Sequence, residues 1–377
     1  MIEFHPMREI EAILKDHFST DNRDMKRALA TVVHVQGSSY RRPGARMLVW
    51  EDGRITGAIS GGCLESDALR KAQLAMATNA PRLVVYDTSN EEDASIGIQL
   101  GCNGVITVLF EPITSNHSGP LNLLDKIVEK RQPTVVVTMV AEGKTDLHPG
   151  TCLVITQEKK IFSTLSSDLH EKVLEEAIEV LNHGHSKHLI LSGPEEKNLN
   201  VFLEYISPPI HLVIAGAGND AVPLVEMAEI LGWSAHVVDG RNTHTSGNRF
   251  PPSCAVRLAK PEEALTGINP DPFTAFILIT HNFQYDKALL KILLPLEVPY
   301  IGILGPKKKL DRMILELRQE GIFITEAMLK KVFGPVGLEI GAEHPAEIAL
   351  SILAEIQAVI TGKPGGFLRD KTTVIHS

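Results

Sequence analysis

Residues with chemical reach crowd into fewer than thirty positions of this sequence. Gly37-Ser38-Ser39-Tyr40-Arg41-Arg42-Pro43-Gly44-Ala45-Arg46 is followed closely by Ile59-Ser60-Gly61-Gly62-Cys63-Leu64-Glu65. Glycine and serine let backbone N–H groups approach a ligand. Arginine offers a planar fork to phosphate or carboxylate, which makes Arg42 and Arg46 candidate anion contacts. Cys63 follows Gly61-Gly62 at the expected start of a helix, where a thiol readily becomes a thiolate. A thiolate there could hold a soft metal, carry a persulfide or attack a carbon. A small residue buried in a Gly-rich turn is the plainer alternative. Taken together, the cluster reads as a pocket for an anionic ligand with a soft-metal or sulfur function beside it.

The other cysteines add little. Cys102, in Gly101-Cys102-Asn103-Gly104, is a candidate to join Cys63 in space, whereas Cys152 and Cys254 read as small buried residues. The four are widely spaced and form no C-x-x-C, which argues against a zinc ribbon or iron–sulfur cluster held by this chain alone. Glu65 and Asp67 read as first-turn carboxylates matching a helix dipole. His183, His185 and His188 fit no standard metal spacing and read as solvated.

These residues need elements to position them. Pro6 to Phe18 has the spacing of an amphipathic helix, and Ala28 to Val35 is an apolar, β-branched strand. Ala45 to Trp50 and Arg54 to Ile59 form a hairpin turned at Asp52-Gly53. A helix from about Leu64 to Ala77 follows. Further strands are expected at 83–86, 105–110, 134–141, 152–156, 188–192 and 200–206, with helices at 121–130 and 168–181. No internal repeat is visible. Ser207-Pro208-Pro209 marks a boundary, because two prolines stop a strand and stiffen a connector.

Beyond the boundary, strands at 211–215, 235–239, 255–258, 275–280 and 300–304 alternate with helices. That is the pattern of a parallel sheet with right-handed crossovers. Gly216-x-Gly218-x-x-Ala221 sits between a strand and a helix, the context a dinucleotide-type loop requires. Gly216 permits the turn, Gly218 permits close approach of a pyrophosphate, and the helix N-terminus supplies donors. Asp239, 23 residues after Gly216, matches an acidic ribose contact, and Arg241 could meet an extra phosphate. A scaffold that keeps its glycines for packing alone is the alternative. His281, at a strand's carboxyl end, is a candidate base or phosphate contact, set against a helix-capping network around Asn282. A last helix begins at Pro345, and Lys363 to Ser377 reads as a loose tail.

Composition bounds the whole. The chain has 377 residues, 44% hydrophobic and 22% charged, ordinary proportions for a folded protein. Such a length calls for two domains, expected at 1–207 and 208–377. A net charge of −9 speaks against a broad nucleic-acid surface. No apolar run reaches the roughly 18 residues of a membrane helix, and Met1-Ile2-Glu3-Phe4-His5-Pro6 lacks the parts of a signal peptide, so the chain reads as cytoplasmic. The expected fold class is α/β, an N-terminal α+β domain followed by a Rossmann-like parallel-sheet domain.

The Arg-Arg-Pro-Gly-Ala-Arg run from Arg41 to Arg46, Ser60-Gly61-Gly62-Cys63-Leu64-Glu65, and Gly101-Cys102 ahead of a strand ending in Glu111-Pro112 resemble the signature of the XdhC/CoxI family. Gly216-Ala217-Gly218-Asn219-Asp220-Ala221, Val238-Asp239-Gly240-Arg241, Thr280-His281 and Tyr300-Ile301-Gly302 resemble that family's Rossmann domain. Asn219 and Asn103 depart from the residues frequent at those places. The resemblance implies an accessory factor for molybdenum hydroxylases such as xanthine dehydrogenase, more a maturation factor than an enzyme. It would bind the molybdenum cofactor, as molybdopterin or its dinucleotide form, protect it during sulfuration and deliver it to the apoenzyme. Implied partners are that hydroxylase, a cysteine desulfurase and a second copy of the chain. Cofactor contacts would be Arg42, Arg46, Gly61, Gly62, Cys63, Cys102, Gly216, Gly218, Asp239, Arg241 and His281, with Cys63 near the molybdenum, a soft and sulfur-rich centre. An NAD(P)-dependent oxidoreductase built on Gly216, Gly218 and Asp239 is the competing reading. Against it, the first half offers no clear hydride-acceptor site.

Overall fold

The structure, a computed structural model, describes residues 6–19, 25–87, 104–113, 119–140, 149–165, 167–192, 198–242 and 249–372. Two compact units divide the chain, Met1–Pro208 and Pro209–Ser377. The first begins with α1 (Pro6–His17), β1 (Arg27–Gly37), β2 (Arg46–Trp50), β3 (Ile55–Gly57), α2 (Glu65–Thr78), β4 (Arg82–Asp87) and β5 (Gly104–Ile113). It continues with α3 (Pro120–Val128), β6 (Thr134–Val140), β7 (Gly150–Thr156), β8 (Ile161–Ser163), α4 (Ser167–His183), β9 (Lys187–Ser192) and β10 (Asn198–Ile206).

The second series retraces the first, element for element. Each makes a five-stranded antiparallel sheet, ordered β3-β2-β1-β5-β4 and β8-β7-β6-β10-β9. The internal repeat, invisible in the sequence, is thus plain in the structure. The repetition lies in order and register, which constrain only which positions must be apolar. Glu111 on β5 lies opposite Leu29 on β1, which lies opposite Leu48 on β2. Glu204 on β10 lies opposite Val136 on β6, which lies opposite Val154 on β7.

The same alternation fixes the layers. Successive strand side chains point to opposite faces. Leu29, Leu48, Val136 and Val154 therefore share one core with Ile10 and Ile13 of α1 and Leu124 and Ile127 of α3. On the outer face of the first sheet, Ala28, Ala30, Met47 and Val108 pack on Ala68, Ala72 and Ala75 of α2. On the second, Val135, Val137 and Leu203 pack on Val173, Ala177 and Val180 of α4.

Two buried glutamates cross between the sheets. Glu204 accepts from Arg46 Nη1 at 3.1 Å and Nη2 at 2.5 Å. Glu111 accepts from the Thr151 N–H at 2.7 Å and its hydroxyl at 3.0 Å. Each reaches from the strand beside the central one of its sheet to the start of the second strand of the other sheet. Arg46 is 1% exposed, its N–H donates to Glu9 of α1 at 2.7 Å, and its Nη1 also donates to the Gly44 carbonyl at 2.7 Å. Read from the sequence as a ligand contact, Arg46 is instead an internal strut. Nearby Gly44 suits this place: its φ of +98° strains any other residue, and a Cβ would fall 2.2 Å from Glu204 Oε1.

The second unit has β11 (His211–Ala215), α5 (Ala221–Ile230), β12 (Ser234–Asp239), β13 (Ala255–Leu258), β14 (Thr274–Leu278), α6 (Phe283–Leu293), β15 (Tyr300–Ile303), α7 (Lys307–Gln319), α8 (Glu326–Leu329), β16 (Val332–Phe333) and α9 (Pro345–Thr361). Six parallel strands run β13-β12-β11-β14-β15-β16. This is the doubly wound order, with its switch point between β11 and β14. Leu289, Leu293, Met313 and Leu317 from α6 and α7 cover one face, and Leu224, Val225, Ile352 and Ile356 from α5 and α9 the other. Strand β16 and helix α8 are too short to leave a periodic signal, and the sequence reading passes over both.

Removing one partner of a buried ion pair strands the other charge, at a cost of about 3–5 kcal/mol. Glu204→Ala should lose that much in urea denaturation, and Arg46→Met with Glu204→Leu should recover most of it. A Glu204→Ala loss below about 1 kcal/mol contradicts the strut. Burial pushes Glu111 up from 4.5 to about 7, against the pull of Thr151 and Arg46. The folded chain then holds a proton that the unfolded chain has released, so this contribution is full below about 4.5 and lost as pH rises through about 7. Glu111→Gln should remove that slope, read as the wild-type minus variant stability difference across the window. A difference independent of pH contradicts it.

Candidate functional site

The loop between β3 and α2 is tied from inside. The Ser60 hydroxyl accepts from the Gly62 N–H at 3.2 Å and the Leu64 N–H at 3.0 Å, and donates to Glu65 Oε2 at 2.5 Å. The buried Glu65 carboxylate also accepts from the Ser60 N–H at 2.9 Å and the Leu64 N–H at 3.1 Å. Glu65 thus does more than face a helix dipole: it closes the loop that presents Cys63. Gly61 and Gly62 are exposed, and nothing stands within 4 Å of a Cβ built on Gly62. Cys63 is partly exposed and packs against the outer core of the first sheet.

The loop between β1 and β2 meets it. Arg41 pairs with Glu9, which anchors that loop to α1, while Arg42 is exposed. The Tyr40 ring lies against Gly61, with Cδ1 3.3 Å from the place of a Gly61 Cβ. Of the residues that the sequence singled out in this half, Arg42, Gly61, Gly62 and Cys63 therefore sit on two touching loops, and Arg46 lies inside the core beneath. Cys102 lies outside the described residues. Gly104, the next described residue, pairs with Gly37 at the root of the same β1–β2 loop. Among the described residues no group of three or more His, Cys, Asp or Glu could hold a metal ion. A metal at Cys63 would have to bring ligands of its own.

The second unit places its candidates at the switch point. Gly216 follows β11 with φ +122°, and a Cβ there would fall 2.5 Å from the Ile279 carbonyl at the end of β14. Gly218 faces open space. Asp239 is 1% exposed and engaged on both oxygens. Its Oδ2 accepts from the Ala217 N–H at 2.7 Å and Arg241 Nη2 at 2.8 Å. Its Oδ1 accepts from the Arg241 N–H at 2.8 Å and Nε at 3.0 Å. Burial would raise this carboxyl, but the bonds from Arg241 and Ala217 outweigh it and hold it below the ordinary value. Asp239 and Arg241, read from the sequence as separate ribose and phosphate contacts, satisfy each other, and a ribose would have to displace the guanidinium.

His281 is exposed with φ +57°, and its Nε2 stands 3.0 Å from Asp220 Oδ2 on the Gly-rich loop. Asn282 is the cap of α6: its Oδ1 accepts from the Gln284 and Tyr285 N–H groups. The capping alternative is thus present at Asn282, and the neighbouring His281 meets a carboxylate. Beneath them Asp286 of α6, fully buried, accepts from Thr280 Oγ1 at 2.5 Å and Lys309 Nζ at 2.7 Å, tying the segment after β14 to the first turn of α7. The sequence reading missed Tyr40, Glu9 and Glu204. For Glu9 a signal exists, a carboxylate on the apolar face of α1 beside Ile10 and Ile13.

Ser60→Ala should cost roughly 1–2 kcal/mol and speed amide exchange at Gly62, whose N–H loses its acceptor, and less so at Leu64, whose N–H keeps Glu65. Unchanged exchange at both would show that the loop is held by something else.

Comparison with known proteins agrees with this architecture. Residues 22–87 match the model of the XdhC and CoxI family, and residues 212–356 match that of the XdhC Rossmann domain. The chain is 31% identical over 363 residues to a Bacillus subtilis strain 168 protein described as a probable xanthine dehydrogenase subunit, covering 94% of this chain and 97% of that one. It is 25% identical over 331 residues to the molybdenum cofactor insertion chaperone PaoD of Escherichia coli K12, covering 88% and 82%. A crystal structure from Bacillus halodurans described as a xanthine dehydrogenase superposes with a TM-score of 0.74 at 31% identity, over 95% of this chain and 96% of the other. The chain belongs to the XdhC and CoxI family.

Proposed function

We propose that this protein binds the molybdenum cofactor on the Tyr40–Cys63 face of its first unit and passes it to a molybdenum hydroxylase of the xanthine dehydrogenase type. The observation that carries the reading is the meeting of two loops, one offering an exposed arginine and the other a partly exposed thiol. The likeness to a relative named as a cofactor insertion chaperone supports it.

The residues present suit such a ligand. The cofactor would bring a phosphate and a molybdenum already bound by the sulfurs of its pterin. Arg42 is free of the core and presents a fork to the phosphate. Gly61 and Gly62 let their backbone approach the ligand without a side chain in the way. Cys63 supplies a soft contact to a metal that needs no protein cage. Ser60 and Glu65 keep the loop from collapsing when the ligand leaves. Shallow, partly exposed contacts favour handing the ligand on over a cycle of turnover. Protection during sulfuration, with a cysteine desulfurase as sulfur donor, a cytoplasmic setting and a homodimer belong to the same proposal.

A second reading, nucleotide binding by the Rossmann unit, is favoured by the Gly-rich loop at the switch point of the sheet. The ligand would be the nucleotide part of a dinucleotide cofactor or NAD(P). Titration with NADH and NADPH separates them, and turnover with either would make the chain an oxidoreductase.

Full-length protein loaded with molybdopterin and molybdate should lose molybdenum about tenfold faster as Cys63→Ala, with its pterin retained longer than its metal. Arg42→Ala should weaken retention of the whole cofactor about 10- to 100-fold, the worth of a charge-assisted hydrogen bond to phosphate. Equal retention by wild type and both variants would refute the site.

A further inference from the structure

Tyr40 has no task in the site as proposed, yet its placement is unusual. It lies in the β1–β2 loop with 59% of its surface exposed. A Cβ built on Gly61 would stand 3.3 Å from its Cδ1, 3.4 Å from Cγ and 3.6 Å from Cε1. Near-equal distances to consecutive ring atoms mean that Gly61 meets the flat face of the ring; approach to the edge would single out one atom. One face of the ring therefore rests on Gly61, and its exposure leaves the other turned to solvent. Glycine seats the ring closely: a Cβ at position 61 would make the ring give by a few tenths of an ångström. The loop that carries the ring is itself fixed, by Arg41 on Glu9 before Arg42 and by Arg46 on Glu204 behind it.

We infer that the open face of Tyr40 is the platform on which the cofactor's pterin ring system stacks. The inference rests on the cofactor reading and adds the group that recognises the heterocycle, where Arg42 addresses the phosphate and Cys63 the metal. A flat, polar heterocycle gains on an aromatic face from stacking that does not depend on its hydrogen-bond pattern. The platform is backed by the loop that Ser60 and Glu65 tie, and it needs little ordering on binding, since a tyrosine has few rotamers to lose. Selection would therefore follow the shape of the ring: a flat bicyclic pterin is held, and a phosphorylated ligand with no flat ring is not.

The test uses the full-length chain and free pterin, followed by quenching of pterin fluorescence, with molybdopterin retention measured in parallel. Tyr40→Phe should bind within about twofold of wild type. Tyr40→Ala and Tyr40→Leu should bind about 5- to 100-fold more weakly, the range for loss of a base–aromatic stack. Leucine keeps an apolar cover over Gly61 without a π face, so its failure cannot be assigned to a collapsed loop; unchanged Gly62 and Leu64 amide exchange checks this independently. Pterin binding equal to wild type in Tyr40→Leu overturns the platform and leaves the cofactor reading standing. Weakened capture of a hydroxylase with unchanged pterin binding likewise overturns it, assigning Tyr40 to a protein surface. Absence of any pterin or molybdopterin binding by the wild type overturns the cofactor reading itself.

Discussion

One buried ion pair sets the terms for the first unit. Arg46 begins β2, and its guanidinium must find a partner because it has 1% exposure. Desolvating that charge is tolerable because Glu204 meets it with both oxygens and the Gly44 carbonyl takes a further guanidinium donor, while Glu9 accepts the Arg46 backbone N–H. The geometry propagates outward. Glu9 is held on α1 and reaches Arg41 as well, so the segment leading into β2 is pinned at two of its three arginines, Arg41 and Arg46. Glycine at position 44 follows from the same pair, since Glu204 occupies the space of a side chain there. The exposed Arg42 and Tyr40 ride on a loop fixed from below.

The same pair explains how two similar sheets become one core. Glu204 crosses to β2 and Glu111 crosses to β7, at matching positions of the two halves. Polar cross-links at fixed points choose one register among the many that apolar faces alone would accept. The halves differ at these points: the arginine of one side is a threonine on the other. The arginine keeps a charged anchor under the loop that carries Tyr40 and Arg42.

Much of this was legible in the sequence. Period-two and helical spacings located most elements, and the Gly-x-Gly loop with Asp239 located the doubly wound sheet. Cys63 and its glycines were visible because special backbone and soft chemistry leave distinct residue types. The repeat was hidden because inward positions need only be apolar, and Leu29 with Val136 or Leu48 with Val154 carry no identity to match. Arg46 was misread because an arginine in a motif looks the same whether it faces a ligand or a carboxylate 158 positions away. Asp239 and Arg241 were read singly, although two residues apart at a strand end they close on each other. Tyr40 gave no signal, since what marks it is a contact across the chain.

If the two touching loops of the first unit hold a molybdenum cofactor in transit, the protein should be found carrying it. The decisive quantity is molybdenum and pterin content per chain, on protein purified from cells supplied with molybdate and producing an active molybdenum hydroxylase. Both should be present together, close to one of each per loaded chain, and both should leave together when apo hydroxylase is added. Protein that carries neither, while the hydroxylase of the same cells is fully loaded, would contradict a role in carrying the cofactor.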